Sequence, residues 1–215
     1  MSKSVSMRSD PYQKSAKQYD RFVDPLNRGL KTIGLKMFPP SEGMCVLDVG
    51  CGTGTQLSYY QKAGCKVFGL DSSPAMLEVA RQTLGEHAEL HAGNASELPY
   101  PDEMFDLVIA ALTLHEMPAQ IRMEVVGECK RVVKGNGRIL FIDHHPGHTR
   151  FPKGWLHKAM TTPMELLTGR EHYRNYRDFL SRRGLPALIE AHGLVVDSSR
   201  IVSGGNLGLF LVTLA

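Results

Sequence analysis

The stretch Val46-Leu47-Asp48-Val49-Gly50-Cys51-Gly52-Thr53-Gly54 decides the fold of this chain. Its first four residues predict a short buried strand with an acid near its end, and three glycines follow at alternate positions. Glycine adopts positive φ cheaply and lets a ligand approach the backbone closely. The helix predicted next offers N-terminal N–H groups that favour an anion. The stretch therefore predicts a strand–turn–helix unit that binds a ligand with its backbone.

A second predicted strand ends in Asp71. Because one carboxylate accepts two hydrogen bonds, an acid at this strand end can hold both hydroxyls of a ribose. A structural interpretation is also open, since an acid or serine here can cap the helix that begins at Pro74. The two interpretations are compatible if Ser72 or Ser73 forms the cap and Asp71 faces the ligand.

The remaining pattern predicts an α/β fold with a Rossmann-like, doubly wound, mostly parallel sheet of seven strands. Strands alternate with helices as far as residue 143, which is typical of parallel sheets. Two later apolar runs are joined by Ser203-Gly204-Gly205-Asn206, which predicts a hairpin and an antiparallel last strand. We predict strands at 45–49, 66–70, 88–92, 105–111, 138–143, 194–202 and 207–214, with core helices at 55–63, 74–84 and 118–133.

Length and composition predict one domain over residues 1–215. The chain has 215 residues, of which 42% are hydrophobic, enough for a single α/β core. Residues 1–40 are predicted to form an N-terminal helical cover that Pro39-Pro40 ends. Residues 145–192, between strands five and six, leave from the ligand end of the sheet. We predict that they form a lid, with helices near 153–168 and 173–183.

Composition also argues against several protein classes. No apolar run reaches the roughly 18 residues of a membrane-spanning helix, and residues 1–10 lack the apolar core of a secretory signal. A cytoplasmic location is therefore expected, with peripheral membrane contact and oligomeric state left open. The four cysteines include no CxxC pair, so neither a zinc finger nor thiol redox chemistry is predicted. The net charge of +3 is modest, so we expect no nucleic-acid partner.

From about Tyr19 to Leu214 the chain resembles the class I S-adenosylmethionine (SAM) methyltransferases, in particular their UbiE-like, type 11 branch, and the match is dense between Val46 and Ile142. The resemblance rests on the segments VLDVGCGTG, GLDSSPAML, GNASELPYPDEMFDLVIAALTLHEMP and VVKGNGRIL. It implies methyl transfer from SAM to a small-molecule or lipid-like acceptor, such as a phenolic or quinol ring, with S-adenosylhomocysteine (SAH) as product. A different class stays open, a SAM-binding protein that modifies or senses SAM without methyl transfer.

The resemblance also implies which residues bind the cofactor. Asp48, Gly50 and Gly52 would hold the amino-acid end of SAM, and Asp71 its ribose. The pair Asn94-Ala95 stands where the family usually has Asp-Ala beside the adenine. Asparagine keeps an acceptor for the exocyclic amine, so adenine recognition is expected to survive. The other implied cofactor contacts are Tyr19, Cys51, Ser72, Met76 and Leu112.

Candidates for acceptor chemistry follow the fourth and fifth strands. His115 follows the fourth strand, and Asp143 and His144 end the fifth. An imidazole there can take a proton from a phenol, enol, thiol or amine, so these three residues are the catalytic candidates. The structural alternative is that His115 only precedes a helix and that Asp143 binds loop backbone.

The pattern Asp143-His144-His145-x-x-His148 contains residue types that bind zinc or iron. Adjacent side chains at a strand end point to opposite faces of the sheet, so these histidines do not converge easily. We therefore predict no metal site.

The run from Gly169 to Phe179 is rich in aromatic and basic residues. It is compatible with a solvated helix whose Tyr176 and Phe179 face the core. It is equally compatible with an acceptor clamp, for which His172, Tyr173 and Arg174 are the candidates.

Overall fold

The structure, a computed structural model, describes residues 24–215. Its side chains are described from residue 27 onward, except those of Met164 and Leu167. The predicted cofactor contact Tyr19 and most of the predicted N-terminal cover lie outside the described residues.

Seven strands form one sheet: β1 (Cys45–Val49), β2 (Lys66–Asp71), β3 (Ala88–Ala92), β4 (Phe105–Ala111), β5 (Val133–His144), β6 (Val195–Val202) and β7 (Leu207–Thr213). Their order is β3-β2-β1-β4-β5-β7-β6. Strands β1 to β5 pair in parallel, whereas β7 pairs antiparallel with both β5 and β6. The predicted fold class is confirmed, including the reversed last strand.

The described helices are α1 (Asp24–Met37), α2 (Thr55–Lys62), α3 (Pro74–Leu84), α4 (Ala119–Val132), α5 (Lys153–Thr168), α6 (Arg170–Ser181) and α7 (Gly184–Ala191). Helices cover both faces of the central strands, so β1 and β4 are almost continuously apolar and buried, as parallel strands usually are. None of the helices over residues 24–215 is long and apolar enough to cross a membrane.

The chain order places a crevice at one edge of the sheet. From β1 the chain proceeds outward through β2 and β3, and it then returns to add β4 and β5 on the other side of β1. In doubly wound sheets, ligands bind at the carboxyl ends of the strands where the order reverses. The loops that follow β1 and β4 meet at this point.

Two elements differ from the sequence prediction. Strand β5 begins at Val133 rather than at residue 138, and its pairing with β4 shifts register between Phe105 and Leu107. Helix α7, within the range predicted as a lid, buries Leu185, Leu188 and Ile189 in the main core. The part of that range that reaches the strand ends is therefore α5 and α6.

Candidate active site

The loop after β1 contains three glycines whose backbone is in the left-handed conformation. Gly50, Gly52 and Gly54 have φ of +79°, +54° and +75°. A Cβ on Gly50 would stand 2.6 Å from Oγ1 of Thr113, so this glycine lets the loops after β1 and β4 touch. A Cβ on Gly52 would meet none of the described atoms within 4 Å. The open side of Gly52 faces a cavity, as a loop that cradles a ligand requires.

Two cavities join over this loop and share Gly50, Gly52, Ala111 and Leu112. One extends toward α1, where Asn27 and Lys31 line it. The other extends along the carboxyl ends of β2 and β3. Every predicted cofactor contact within the described residues lines one of them: Asp48, Gly50, Cys51, Gly52, Asp71, Ser72, Met76, Asn94, Ala95 and Leu112.

Asp71 fixes the glycine loop and also faces the second cavity. Its Oδ2 accepts the N–H of Gly52 at 2.8 Å, and its Oδ1 accepts the N–H of Ser73 at 2.8 Å. Ser73, rather than Ser72, caps α3, because its Oγ accepts the N–H of Met76 at 3.1 Å. Each oxygen of a carboxylate can accept a second hydrogen bond, so Asp71 can serve the loop and a ligand together.

Asp48 lines the first cavity and is buried, with only 2% of its surface exposed. Its Oδ1 has no hydrogen-bond partner among the residues that the structure describes. Burial raises the pKa of Asp48 to about 7, while Lys31 acts to lower this pKa and Asp71 to raise it. A buried carboxylate oxygen without a partner is costly, and a ligand ammonium would supply the missing partner.

A second polar centre lies at the ends of β4 and β5. Asp143 is fully buried, and its Oδ1 accepts a hydrogen bond from Nδ1 of His115 at 2.7 Å. Its Oδ2 accepts the N–H groups of Leu114 and His115, so the same carboxylate holds the loop after β4. Burial acts to raise the pKa of Asp143, but the charges of His115 and His144 and the hydrogen bonds from both residues together outweigh it, so the pKa is lowered. Burial likewise acts to lower the pKa of His115, but Asp143, Glu165 and Glu116 together raise it well above its usual value.

Helix α5 contributes Glu165 to this centre. Oε2 of Glu165 lies 3.6 Å from Nε2 of His115, and Oε1 lies 3.3 Å from Nε2 of His144. Nε2 of His172, from α6, also bonds to Oε2. Burial acts to raise the pKa of Glu165, but the contacts with the three histidines lower it well below its usual range. Glu165 and the three histidines, His115, His144 and His172, are called the histidine cluster below. At most 14% of any of their side chains is exposed.

Arg122 ties α6 to the loop that carries His115. Its guanidinium is 2% exposed and donates to the carbonyls of Leu114 and Asn175 and to Oδ2 of Asp178. Asn175 in turn donates to the carbonyl of Glu116 at 2.7 Å. The sequence analysis missed Glu165, Arg122 and Asn175. All three are polar residues on amphipathic helices, where polar residues are expected, so the sequence gives no signal that sets them apart.

A third cavity opens beside the cluster and is lined by His144, Tyr173, Tyr176 and Arg177 among others. Of the predicted acceptor contacts, His172 belongs to the histidine cluster and Tyr173 lines this cavity. Arg174 is exposed and lines none of the three cavities. The three catalytic candidates meet at one place, since His115 and His144 have ring centroids 4.7 Å apart and Asp143 bonds to His115.

Comparison with known proteins identifies the family. A family profile described as a methyltransferase domain matches residues 47–141. A methyltransferase of Synechocystis sp., itself uncharacterized, is 31% identical over 168 residues, which are 78% of this chain and 74% of that protein. The chain belongs to the methyltransferase family.

Other relatives support the same family. The methyltransferase is 34% identical to a demethylmenaquinone methyltransferase of Listeria welshimeri over 143 residues. That match spans 61% of this chain but only 60% of the relative, which is less than two thirds of its length. A solved SAM-dependent methyltransferase from Aquifex aeolicus superposes with a TM-score of 0.64 at 23% identity, covering 93% of this chain and 98% of that one. The last similarity supports the fold alone.

The residues of the glycine loop fit SAM. The unpartnered oxygen of Asp48 suits the α-ammonium of its amino-acid end, and Gly52 leaves room for a ligand against the backbone. Asp71 lies in the adjoining cavity, where it can accept hydroxyl groups. Cofactor contacts of individual residues remain predictions that substitutions can test.

We expect SAH affinity to rise about tenfold between pH 6 and pH 8. Burial holds a proton on Asp48 up to a pKa of about 7 in the unliganded protein, whereas the ligand ammonium requires the carboxylate. Binding below pH 7 must therefore release a proton, which weakens affinity there and not above. Calorimetry in buffers of different ionisation enthalpy measures both the SAH affinity and the number of protons released on binding. Asp48→Asn should bind more weakly and without this pH dependence, and a flat wild-type profile would contradict the assignment.

Proposed function

We propose that the methyltransferase methylates a small or lipid-like acceptor with an ionisable ring hydroxyl, of the phenol or quinol type. The supporting observation is the position of the histidine cluster between two spaces. Glu116 lines the cavity that extends from the glycine loop, and it directly follows His115. His144, in contact with the His115 ring, lines the third cavity. An acceptor in the third cavity can thus reach toward the cofactor past polar side chains.

Methyl transfer demands little covalent machinery from the protein. When bound, SAM supplies a methyl group activated by its sulfonium. The chain must align the acceptor with that methyl and exclude water, and orientation alone can contribute roughly 7–11 kcal/mol. Tyr173 and Tyr176, with ring centroids 6.2 Å apart, give an aromatic wall that suits a planar ring.

Within this proposal, His115, His144 and Asp143 remain the candidates for acceptor chemistry. His144 lines the third cavity, and its Nε2 lies 3.3 Å from Oε1 of Glu165. Asp143 acts as a positioning residue, because it holds both the ring of His115 and the backbone before it. His172, Tyr173 and Arg174 remain the candidate acceptor contacts, with Arg174 the least supported because it is exposed.

Two further observations support a ring that carries an apolar tail. The relative from Listeria welshimeri is named for demethylmenaquinone. Helix α5, which contributes Lys158 and Thr162 to the third cavity, also exposes large apolar side chains. Trp155, Leu156 and Met160 are 66%, 65% and 56% exposed. Exposed apolar surface beside a cavity suits an acceptor that is partly lipid-like.

The proposal is tested by incubating the purified methyltransferase and SAM with a demethylated menaquinol, a simple phenol, a primary amine or a thiol. We expect SAH formation with the first two, together with ring products that have gained one methyl group by mass spectrometry. A preference for the amine or thiol would contradict the proposed acceptor class. SAH or other SAM breakdown products without any methylated acceptor would favour a SAM-modifying protein instead.

A further inference from the structure

The contact between His115 and Glu165 requires a positive charge. Nδ1 of His115 faces Oδ1 of Asp143, and a carboxylate only accepts, so Nδ1 carries the proton. In a neutral ring, Nε2 of His115 then presents a lone pair toward Oε2 of Glu165 at 3.6 Å. Two electron-rich atoms face one another, and a positive charge must lie between or beside them. That charge is either a second proton on His115 or a bound cation.

The distances favour a cation of metal size. A normal N–H···O hydrogen bond spans about 2.7–3.2 Å, which is shorter than the 3.6 Å between His115 and Glu165. Ligand atoms on a tetrahedral zinc ion, each bonded at about 2.0–2.1 Å, stand roughly 3.3–3.4 Å apart. Oε2 of Glu165 lies 3.6 Å from Nε2 of His115, and its other oxygen, Oε1, lies 3.3 Å from Nε2 of His144, so each nitrogen faces a carboxylate oxygen at close to that spacing. Ligand atoms of all three residues lie within 4.8 Å of one another.

We propose that His115, His144 and Glu165 bind a divalent transition-metal ion of the zinc or ferrous type. Two imidazoles and one carboxylate that leave coordination positions open suit both ions. Glu165 is the carboxylate of choice because its two oxygens face Nε2 of both His115 and His144. Glu116 forms a second compact group with His115 and His172, and it also lines the cavity that extends from the glycine loop.

The surroundings supply the supporting groups that metal sites usually have. A metal-binding histidine commonly donates its other N–H to a carboxylate, which fixes its tautomer and orientation. Asp143 does this for His115 at 2.7 Å. His172 bonds to Glu165 and can fix the ligand carboxylate in the same way. Asp143 and His172 are therefore positioning residues for the proposed site.

The sequence argument against a metal concerned neighbours along one strand. The adjacent histidines diverge in the structure, because His144 contacts His115 whereas His145 stacks on Phe210. The proposed ligands instead come from three elements: the loop after β4, the end of β5, and α5. Because these elements are far apart in the sequence, no local motif predicts this group of ligands.

The proposed role rests on the proposed function, whereas the binding site does not. A ring hydroxyl that occupied an open coordination position would bind as its anion and release its proton to solvent. The metal would thereby hold the nucleophilic oxygen, or the ring attached to it, beside the cofactor cavity.

Metal binding is tested on the full chain, freed of any purification tag and dialysed against a chelator. Zn²⁺ and anaerobic Fe²⁺ are titrated separately by calorimetry, and Co²⁺ is followed by its visible spectrum. We expect one ion per chain with zinc or iron, and a higher melting temperature with the ion bound. His144→Gln and Glu165→Gln should each weaken binding by more than about 100-fold. His145→Gln, at the adjacent position outside the cluster, is the matched control and should bind like the wild type.

Binding of zinc alone or iron alone identifies the ion, and either result supports the site. Absence of stoichiometric binding by the wild-type chain would overturn it without any variant. Equal affinity in the wild type and both folded variants would overturn it as well. SAH affinity, measured on the same samples, should stay unchanged in all three variants. A chain that binds the ion but methylates no ring acceptor would retain the metal site and overturn only its role.

Discussion

Replacing Gly52 with valine is expected to lower SAH affinity by more than about 100-fold, roughly 3 kcal/mol. Gly52 has φ of +54°, a conformation that disfavours β-branched side chains, and its missing Cβ points into the cavity over the loop. Valine would place two methyl groups where the cofactor must touch the backbone. Calorimetric titration with SAH measures the loss.

The matched control is Gly193→Val. Gly193 has a similar φ of +62°, is exposed after α7, and has no described atom within 4 Å of an added Cβ. This variant carries the same backbone strain away from the cavities, so it should lose stability but keep SAH affinity. A folded Gly52→Val protein with wild-type affinity would show that the glycine loop is not the cofactor loop.

Replacing Arg122 with alanine is expected to lower the free energy of unfolding by about 2–5 kcal/mol. The guanidinium is almost fully buried and satisfies two backbone carbonyls and one carboxylate. Alanine would leave the carbonyls of Leu114 and Asn175 without this donor and open a void between α4 and α6. Equilibrium unfolding in urea measures the change.

The control for this variant is Arg138→Ala. Arg138 pairs with Asp197 at 3.2 Å, but both side chains are partly exposed, at 29% and 48%. Exposed pairs contribute at most about 1 kcal/mol, so this substitution should have a much smaller effect. Equal losses in the two variants would mean that the Arg122 network does not stabilise the fold as proposed.

The cofactor half of the structure was largely predictable from sequence because its residues lie in short local patterns. Strand, glycine turn and helix follow one another within VLDVGCGTG, and Asp71 and Asn94 follow the next two strands. In a parallel sheet, the ends of neighbouring strands meet at one edge. Local periodicity together with that rule was enough to bring these residues to one crevice.

The acceptor half was predictable only in part. His115, Asp143 and His144 could be predicted because they lie at the ends of strands. Glu165 lies inside α5, where a single acidic residue would normally be interpreted as exposed to solvent. Its approach to the histidines depends on how α5 and α6 pack over the sheet, which is set by buried contacts such as those of Arg122. Tertiary contacts of this kind leave no periodic trace in a sequence.

Asp71 already accepts one backbone N–H on each carboxylate oxygen, from Gly52 and from Ser73. Its side chain therefore has little rotamer entropy left to lose when a ligand arrives. A ribose bound there would meet an acceptor whose direction is set in advance, and it would in turn hold the glycine turn to the start of α3. The cofactor should thus bind at this end of the crevice to a preorganised site. Little of its favourable binding enthalpy should be offset by a loss of side-chain entropy.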